Sequence, residues 1–352
     1  MKILFCAHHM NSIINKDLQR YETLRELGYD AVPFGFDTYA TFGMFTRLMI
    51  RLGVGGLPKQ NLVSFNRDLL ERVIAVRPDV VWVEKALLLL AETIAQARQI
   101  LPNTVWISYQ DDNPFGRRRN EIPTWRNFIR AIPCYDLHFV KRSSDIENFK
   151  SHGARRVVIN RTGFYSAFYH PHPLAEVPGH LKHDTVFIGT ALDHRVGSIA
   201  KLMNREALRI DVYGGRWNRH LVYYLHRQYF HGHGGLAYPL IVSGSQICLG
   251  YVSSSNCDEY NGRSFEIPAC GGFFLAERTP AHQELYREGE EAEFFGSDEE
   301  CAEKIRFYLR NDGKRLKIAQ AGYERCLKSD YSLNRSMREA MREVSAALKE
   351  MN

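Results

Sequence analysis

The chain has 352 residues, of which 45% are hydrophobic and 24% are charged, and its formal net charge is +6. These proportions are typical of a folded globular protein and exclude a disordered or fibrous chain, and the length predicts two domains. The seven cysteines include no C-x-x-C pair, which excludes a disulfide framework and a cysteine-based zinc site.

The opening stretch MKILFCAHHMN contains an apolar run that is shorter than the core of a signal peptide. It is better interpreted as a buried first strand. We find no candidate membrane span in the sequence, so we expect a cytoplasmic protein.

Short apolar runs then alternate with helical patterns through the first half of the chain. Strands are predicted at 2–7, 29–34, 79–84, 104–109, 137–140 and 155–160. Helices are predicted at 15–28, 66–78 and 87–102. This alternation is typical of a parallel, doubly wound α/β sheet and predicts a Rossmann-like domain over 1–170.

Residues 163–182 contain three prolines and no hydrophobic period, as in an interdomain linker. A second α/β series follows, with strands at 184–189, 208–215, 246–252 and 273–277. Its helices are predicted at 194–206, 263–271, 280–289 and 298–311. We therefore expect a second Rossmann-like domain over 171–325, a central cleft between the two, and a C-terminal helix over 326–352 that crosses back to the first domain.

The stretch CDEYNGRSFEIPACGG, residues 257–272, contains the strongest candidate binding site. Asn261 and Gly262 form a turn before a short helix, whose first N–H groups favour an anion. Arg263 adds a planar set of donors suited to phosphate. Glu266, one turn further, can accept hydrogen bonds from ribose hydroxyls. The alternative is that Glu266 caps its own helix and Arg263 is a surface charge.

This stretch resembles the C-terminal signature of GT-B glycosyltransferases, the E-x7-E pattern of the large retaining family 4 group. Glu266, with IPACGG behind it, matches the second glutamate. Counting back without a gap places Asp258 at the first position, whereas Glu259 leaves six residues between the acids. The acid that contacts the sugar is therefore Asp258 or Glu259.

The wider segment 184–336 is similar to one branch, the CgeB-like (spore-maturation-protein-like) glycosyltransferases. The similarity is carried by DTVFIGTALDHR, VYGGRW, SQICLGYV and GRSFEIPACGGFFLAE in that order, and by the acidic and helical segments that follow. The resemblance implies a GT-B fold and a glycosyltransferase that moves a sugar from a nucleotide diphosphate-sugar, such as a UDP- or GDP-sugar, to an acceptor hydroxyl. It implies no metal or cofactor, and retention of configuration.

The same resemblance implies which residues of the second domain hold the donor. Arg195 takes the place of a basic phosphate ligand, and Gly214 and Gly215 let the backbone approach a ligand. Trp217 can cover a base, although a plain turn with a packed tryptophan fits equally well. The full implied set is Gly189, Thr190, Arg195, Gly214, Gly215, Trp217, Glu259, Tyr260, Asn261, Gly262, Arg263, Ser264 and Glu266.

The first domain offers candidates for the acceptor side. Asp111 and Asp112 directly follow a predicted strand, where they can bind an acceptor, deprotonate its hydroxyl or hold a metal. They also support a rival reading, a manganese-dependent GT-A fold, which the second α/β series and the Glu266 signature disfavour. A turn before Pro114 is the structural alternative. His8 and His9 are further candidates for a base or a sugar contact.

Glu84 and Lys85 occupy the matching position after another strand. His226, His231 and His233 invite a metal interpretation, but HGHGG has no acidic or cysteine partner at ligand spacing, so no metal site is predicted.

Two basic segments suggest anionic partners. Residues 42–56 place apolar side chains at helical spacing with Arg47 and Arg51 between them, which suits the surface of an anionic membrane with a lipid-linked acceptor. Burial against the sheet is the alternative. A second segment, 116–130, combines arginines with Trp125. We expect a glycan, lipid-linked or small-molecule acceptor and no nucleic acid. A non-catalytic nucleotide-sugar-binding protein remains the main alternative.

Overall fold

The computed structural model describes residues 1–8, 10–40, 42–51, 57–85, 87–116 and 122–351. The chain divides into two compact units. The first comprises Met1–Thr162 together with Leu333–Asn352, and the second comprises Gly163–Ser332.

The first unit is built on a six-stranded parallel sheet with the order β2-β1-β3-β4-β5-β6. The strands are β1 (Lys2–Ala7), β2 (Asp30–Gly35), β3 (Val80–Glu84), β4 (Val105–Gln110), β5 (Leu137–Val140) and β6 (Val157–Ile159). The helices are α1 (Lys16–Glu26), α2 (Met44–Arg51), α3 (Lys59–Val76), α4 (Ala91–Ile100), α5 (Ile122–Ala131) and α6 (Ser143–Ser151). Every residue of β3 and β4 is buried, as expected for central strands covered on both faces.

The second unit contains a five-stranded parallel sheet with the order β11-β10-β9-β7-β8. Its strands are β7 (His183–Ile188), β8 (Asp211–Tyr213), β9 (Ser245–Gly250), β10 (Phe274–Glu277) and β11 (Glu293–Phe295). Its helices are α7 (Arg195–Asn204), α8 (Leu221–Leu225), α9 (Tyr238–Gly244), α10 (Arg263–Ala269), α11 (Pro280–Leu285), α12 (Asp298–Leu309) and α13 (Asp312–Lys328). The chain ends with α14 (Leu333–Met351), which belongs to the first unit.

Buried hydrogen bonds attach α14 to the first unit. The hydroxyl of Ser336 lies 2.8 Å from Asn160 Oδ1, and Asn160 Nδ2 donates to the Ser336 carbonyl at 3.0 Å. Arg156 forms an ion pair with Glu343 at 2.5 Å. The apolar face of the helix, including Met337, is buried. The last helix is therefore an integral part of the first unit.

Each sheet has one place where neighbouring strands lead into connections on opposite sides. In the first sheet it lies between β1 and β3, and in the second between β7 and β9. Ligands of open parallel sheets bind outside the carboxyl ends of the strands at such a point. The chemistry of the chain is therefore to be sought after Ala7 and Glu84 in the first unit and after Ile188 and Gly250 in the second.

The predicted α/β architecture is confirmed, and each predicted strand corresponds to an observed one. The prediction missed α5, α6, α8, α9 and the short β11, and it started α3 too late. No helix within the described part of the chain combines the length and the apolar character needed to cross a membrane.

A buried histidine gives the first unit a predictable response to acid. His138 Nε2 lies 3.0 Å from the Ile132 carbonyl, which can only accept, so Nδ1 accepts from the Ser108 hydroxyl at 2.6 Å. Burial lowers the pKa of His138 from 6.5 to about 4. The unfolded chain therefore takes up this proton first, and stability is lost as the pH falls from about 6.5 towards 4.

We expect this single group to cost about 3 kcal/mol of stability over that window, since one pKa unit corresponds to about 1.4 kcal/mol. Urea unfolding followed at several pH values measures the effect. His138→Leu is expected to flatten the pH dependence, whereas His152→Leu, at an exposed position, keeps it. Identical slopes for His138→Leu and the parent protein would contradict the assignment.

Candidate functional site

The loops that follow β7 and β8 pack tightly against each other. Gly189 donates its N–H to the Tyr213 carbonyl at 2.7 Å, and Ala191 donates to the Gly215 carbonyl at 3.0 Å. Gly214 has φ +147°, and a Cβ there would overlap the carbonyl oxygen of Gly189. The glycines at 214 and 215 were predicted to admit a ligand; at Gly214 it is the neighbouring loop that requires a residue without a side chain.

Trp217 also packs the loop after β8 against the loop after β7. Its indole N–H donates to the Gly189 carbonyl at 2.9 Å, and its ring is buried against Phe187 and Phe230. This packing fits the alternative of a packed turn, and contact of Trp217 with a nucleotide base stays a prediction. Its physical role is to fix the loop that begins at Gly189.

Arg263 lies at the carboxyl ends of β7 and β9. Its Nη2 donates to the Tyr251 carbonyl at 3.2 Å, and its guanidinium carbon lies 5.8 Å from the centre of the Phe187 ring. A Cβ placed on Gly189 would lie 3.3 Å from Nη1. Within the described part of the chain, no carboxylate forms an ion pair with Arg263, and its buried Nε has no hydrogen-bond partner. The switch point of the second sheet thus holds a guanidinium that forms no ion pair with any described carboxylate.

The turn before α10 positions this arginine. Asn261 donates from Nδ2 to the Tyr251 carbonyl at 2.8 Å, and its Oδ1 accepts from the Arg263 amide at 3.0 Å. The amides of Ser264 and Phe265 donate to the carbonyls of Asn261 and Gly262. The expectation that the helix start at 262–264 offers unpaired N–H groups is therefore corrected for 263 and 264, and anion binding by the Arg263 side chain stays a prediction.

Glu266 is buried on α10, with only 6% of its surface exposed. Burial, and next the negative charge of Glu266, raise the pKa of Tyr238 well above its ordinary value, so the Tyr238 phenol stays neutral. That hydroxyl is buried and makes no hydrogen bond among the described residues. Glu266, which the sequence analysis identified, is therefore buried in the second unit near Tyr238, which the sequence analysis did not identify.

The residues around Glu266 stabilise the local fold. Ser264 points its hydroxyl at His282 Nε2 at 2.8 Å, and its carbonyl accepts from the Tyr286 hydroxyl at 2.8 Å. Gly271 has φ +72° where α10 ends, and a Cβ on Gly272 would lie 2.6 Å from a Val242 methyl group. Ser264 was predicted to contact the donor; its side chain instead supports the helix from behind.

Arg195 organises the loop after β9. It is only 4% exposed, and its Nη2 donates to the Val252 carbonyl at 3.1 Å. Glu277 accepts from the Val252 amide at 2.6 Å, and Asp193 accepts from the Ser253 hydroxyl at 2.6 Å. Arg195 was predicted to be a phosphate ligand. The geometry makes it a positioning residue for the chain that leads to Asp258, and phosphate contact stays a prediction.

The same loop contains the two candidate sugar-contacting acids. The Asp258 amide donates to the Ser253 carbonyl at 2.9 Å, and its side chain is half-buried. Glu259 is exposed, and its carbonyl accepts from the Thr279 hydroxyl at 2.6 Å. Tyr260 is buried with its ring against Phe265. Asp258 is therefore more firmly placed than Glu259, and Tyr260 supports the loop.

A charge cluster lies at the switch point of the first sheet. Arg20 on α1 is 1% exposed and grips both carboxylate oxygens of Glu84 at 2.8 Å. It also pairs with Asp111 Oδ2 at 3.0 Å, while Lys85 pairs with Asp112 Oδ2 at 2.5 Å. Both predicted acids, Asp111 and Asp112, therefore lie beside a cation, and the structure adds Arg20, which the sequence did not indicate.

Burial alone would lower the pKa of Arg20, but the charges of Asp111 and Glu84 raise it well above its ordinary value. Burial raises the pKa of Glu84, and the guanidinium of Arg20 opposes this shift. The Arg20 guanidinium also lies 4.4 Å from the centre of the Tyr109 ring. We assign Arg20 as cationic and Glu84 as its structural counter-ion.

The other candidates in the first unit are the histidines after β1 and the two basic segments. His8 follows β1 with Nδ1 3.5 Å from Asp37 Oδ1 and its ring against Phe36. His9 lies outside the described residues, as do 52–56 and 117–121. Met44 on α2 is 88% exposed, whereas Trp125 is buried and does not belong to a surface patch.

Comparisons with known proteins bear on the family and the fold of the chain. Residues 195–342 match the model of a family described as glycosyl transferase-like. A search of curated proteins gives no match.

Several solved structures share the fold. Sucrose-phosphate synthase from Thermosynechococcus elongatus is 12% identical, with a TM-score of 0.68 and coverage of 99% of this chain and 100% of that one. HepE from Anabaena in complex with UDP-glucose is 14% identical, with a TM-score of 0.67 and coverage of 98% of this chain and 100% of that one.

An α,α-trehalose-phosphate synthase (UDP-forming) from Burkholderia xenovorans, in complex with glucose-6-phosphate, is 11% identical, with a TM-score of 0.62 and coverage of 98% and 100%. The chain thus has the GT-B fold and carries a glycosyltransferase-like domain, as predicted. The GT-A alternative is wrong.

Proposed function

We propose that this chain transfers a sugar from a nucleotide diphosphate-sugar to an acceptor hydroxyl, with a UDP-sugar as the first donor class to test. The observation that carries the proposal is the guanidinium of Arg263 at the switch point of the second sheet, without a carboxylate partner among the described residues. The complexes of similar structures with UDP-glucose support the choice of donor. The CgeB-like branch remains part of the proposal.

In this proposal the second unit stabilises the leaving group. Cleavage of the bond between the sugar and the diphosphate places negative charge on the phosphate oxygens, and a fixed cation at that point lowers the barrier. Arg263 supplies this charge, held in place by the Tyr251 carbonyl. Because the cation is built into the chain, the proposal requires no metal ion.

Glu266 and Asp258 complete the donor site. Glu266 is proposed to accept hydrogen bonds from the ribose hydroxyls, and Asp258 to contact the transferred sugar. The three side chains that fix the loop after β9, those of Asp193, Arg195 and Glu277, keep Asp258 in position.

The first unit is proposed to bind the acceptor through Asp111 and Asp112. Both carboxylates are ion-paired, with Arg20 and Lys85, and carboxylate oxygens held in this way can accept hydrogen bonds from acceptor hydroxyls. A retaining reaction suits this arrangement, because the leaving phosphate itself can take the acceptor proton. We further propose a glycan, lipid-linked or small-molecule acceptor and a cytoplasmic location, with α2 as the point of any membrane contact.

The same ion pairs favour a second candidate, a protein that binds a nucleotide-sugar without transferring the sugar. Asp111 is already paired with Arg20 and Asp112 with Lys85, an arrangement that suits binding alone. The two candidates share the donor site and differ in whether nucleoside diphosphate is released.

A two-step experiment tests the proposal with the full chain. Thermal unfolding is first measured with UDP-, GDP-, ADP-, CMP- and dTDP-sugars, each with and without EDTA. A ligand that binds the native state at 100-fold excess over its Kd adds about 2.7 kcal/mol of stability. We expect one donor class to raise the Tm equally with and without EDTA. Release of nucleoside diphosphate from that donor is then measured with mono- and disaccharide, sugar phosphate and lipid-linked acceptors.

Binding with release supports the transferase. Binding without release from any acceptor supports the second candidate. No stabilisation by any nucleotide-sugar contradicts both.

A further inference from the structure

Two histidines and an aspartate meet at the amino ends of β7 and β8. His183 opens β7, Asp211 opens β8, and His231 follows the chain segment that pairs with β8 at Val212. One ligand atom from each of the three lies within 4.8 Å of the others. The sequence around HGHGG lacks an acidic partner, and the fold supplies one from β8.

The distances suit a small cation. Nδ1 of His183 lies 3.3 Å from Oδ2 of Asp211, and Nε2 of His231 lies 2.6 Å from Oδ1 of the same carboxylate. Tetrahedral ligands at about 2.0–2.2 Å from Zn²⁺ are themselves about 3.3–3.5 Å apart. The first pair has this spacing already, and the second needs a small outward rotation of His231, which is 30% exposed.

Two buried atoms of the cluster lack a hydrogen bond. Among the described residues, neither His183 Nδ1 nor Asp211 Oδ2 has a hydrogen-bond partner, although both are buried and face each other. Arg209 approaches the same oxygen only to 3.5 Å, from an exposed position. A cation in contact with both atoms would satisfy this buried nitrogen and this buried carboxylate oxygen together.

The Tyr213 hydroxyl contacts and orients the imidazole of His183. Its Nε2 lies 2.9 Å from the Tyr213 hydroxyl. When an ion is bound, Nε2–H can donate to the Tyr213 oxygen, and Nδ1 then presents its lone pair to the ion. Metal-binding histidines are typically oriented by such a bond from the second nitrogen.

We propose that His183, Asp211 and His231 bind a divalent transition metal ion, for which Zn²⁺ is the best probe. Two imidazoles and one carboxylate suit Zn²⁺, whereas Mg²⁺ and Ca²⁺ prefer oxygen ligands. The ion joins β7 and β8 to the segment after Tyr229. It lies at the sheet edge opposite to Arg263, so its role is to stabilise the second unit, independently of the proposed sugar transfer.

Titration calorimetry of the untagged, EDTA-treated full chain with ZnCl₂ tests the proposal. We expect one Zn²⁺ per chain, and an intense visible absorption spectrum for Co²⁺ in the same site. His231→Ala, at a partly exposed position, is expected to weaken binding by at least about tenfold, and Tyr213→Phe by about 10–100-fold through the lost orienting bond. His226→Ala is the matched control, because His226 pairs with Asn204 outside the cluster.

The outcomes are distinct. Failure of the parent protein to bind Zn²⁺, or equal affinity in His231→Ala and the parent, overturns the proposal. Circular dichroism establishes that His231→Ala is folded, and Asp211→Asn provides a second removal of a ligand. Nucleotide-sugar binding is expected to survive EDTA, so loss of the metal site leaves the proposed transferase function to be judged by its own test.

Discussion

Replacing Arg263 with alanine is expected to remove most of the stabilisation that a nucleotide-sugar gives to the second unit. Hydrogen bonds to a charged group contribute about 1.5–3 kcal/mol, so the affinity for the donor falls by roughly 10- to 100-fold. The effect is large because, among the described residues, no carboxylate neutralises this guanidinium. The ligand-induced change in Tm, taken relative to the Tm of each variant without ligand, measures it.

One further variant separates charge from hydrogen-bond geometry at this position, and another serves as a control. Arg263→Lys keeps the charge and loses the planar set of donors, so an intermediate shift is expected. Arg219→Ala removes an exposed arginine from the same unit and is expected to leave the shift unchanged. A ligand-induced shift in Arg263→Ala equal to that of the parent would place the diphosphate elsewhere.

Replacing Arg20 with methionine is expected to destabilise the first unit by about 3–5 kcal/mol. The change leaves Glu84 as an unpaired, buried carboxylate, and removing one partner of a buried ion pair has a cost of this size. Glu84 keeps only the indole N–H of Trp82, at 2.9 Å, as a partner from this cluster. Hydrogen exchange of peptides from α1 and β3 in increasing urea measures the loss within the first unit.

The double variant Arg20→Met/Glu84→Met separates the pair from its surroundings. Because neither charge remains, it is expected to recover most of the lost stability. Arg25→Met is the matched control on the same helix, since Arg25 forms an exposed pair with Glu22 worth less than about 1 kcal/mol. A loss in Arg20→Met no larger than that in Arg25→Met would contradict the assignment of Arg20 as the buried anchor of Glu84.

The strands of both sheets could be predicted because parallel strands are buried on both faces and therefore form continuous apolar runs, as in 80–84 and 105–109. Elements with mixed composition were missed. Helix α5 contains Arg126 and Arg130 on its exposed side. These charges obscured the helical spacing of the buried Trp125 and Phe128. Strand β11 has only three residues and follows a run of glutamates.

Candidate site residues could be predicted where they lie close together in the sequence. Those brought together from distant segments could not. Arg263 and Glu266 were identified because they lie three residues apart on one helix. Arg20 was not, because its partner Glu84 lies 64 residues away. Gly214 and Trp217 contact a neighbouring loop that their sequence context did not indicate. A sequence shows that a glycine is required, but not whether a ligand or another loop approaches it.

The most direct test of the account is a crystal structure of the full chain with the UDP-sugar, or other nucleotide-sugar, that raises the Tm most. The account predicts the diphosphate within hydrogen-bond distance of the Arg263 guanidinium and the ribose hydroxyls at the carboxylate of Glu266. A nucleotide bound on another surface, or a Glu266 side chain directed into solvent in the complex, would contradict it.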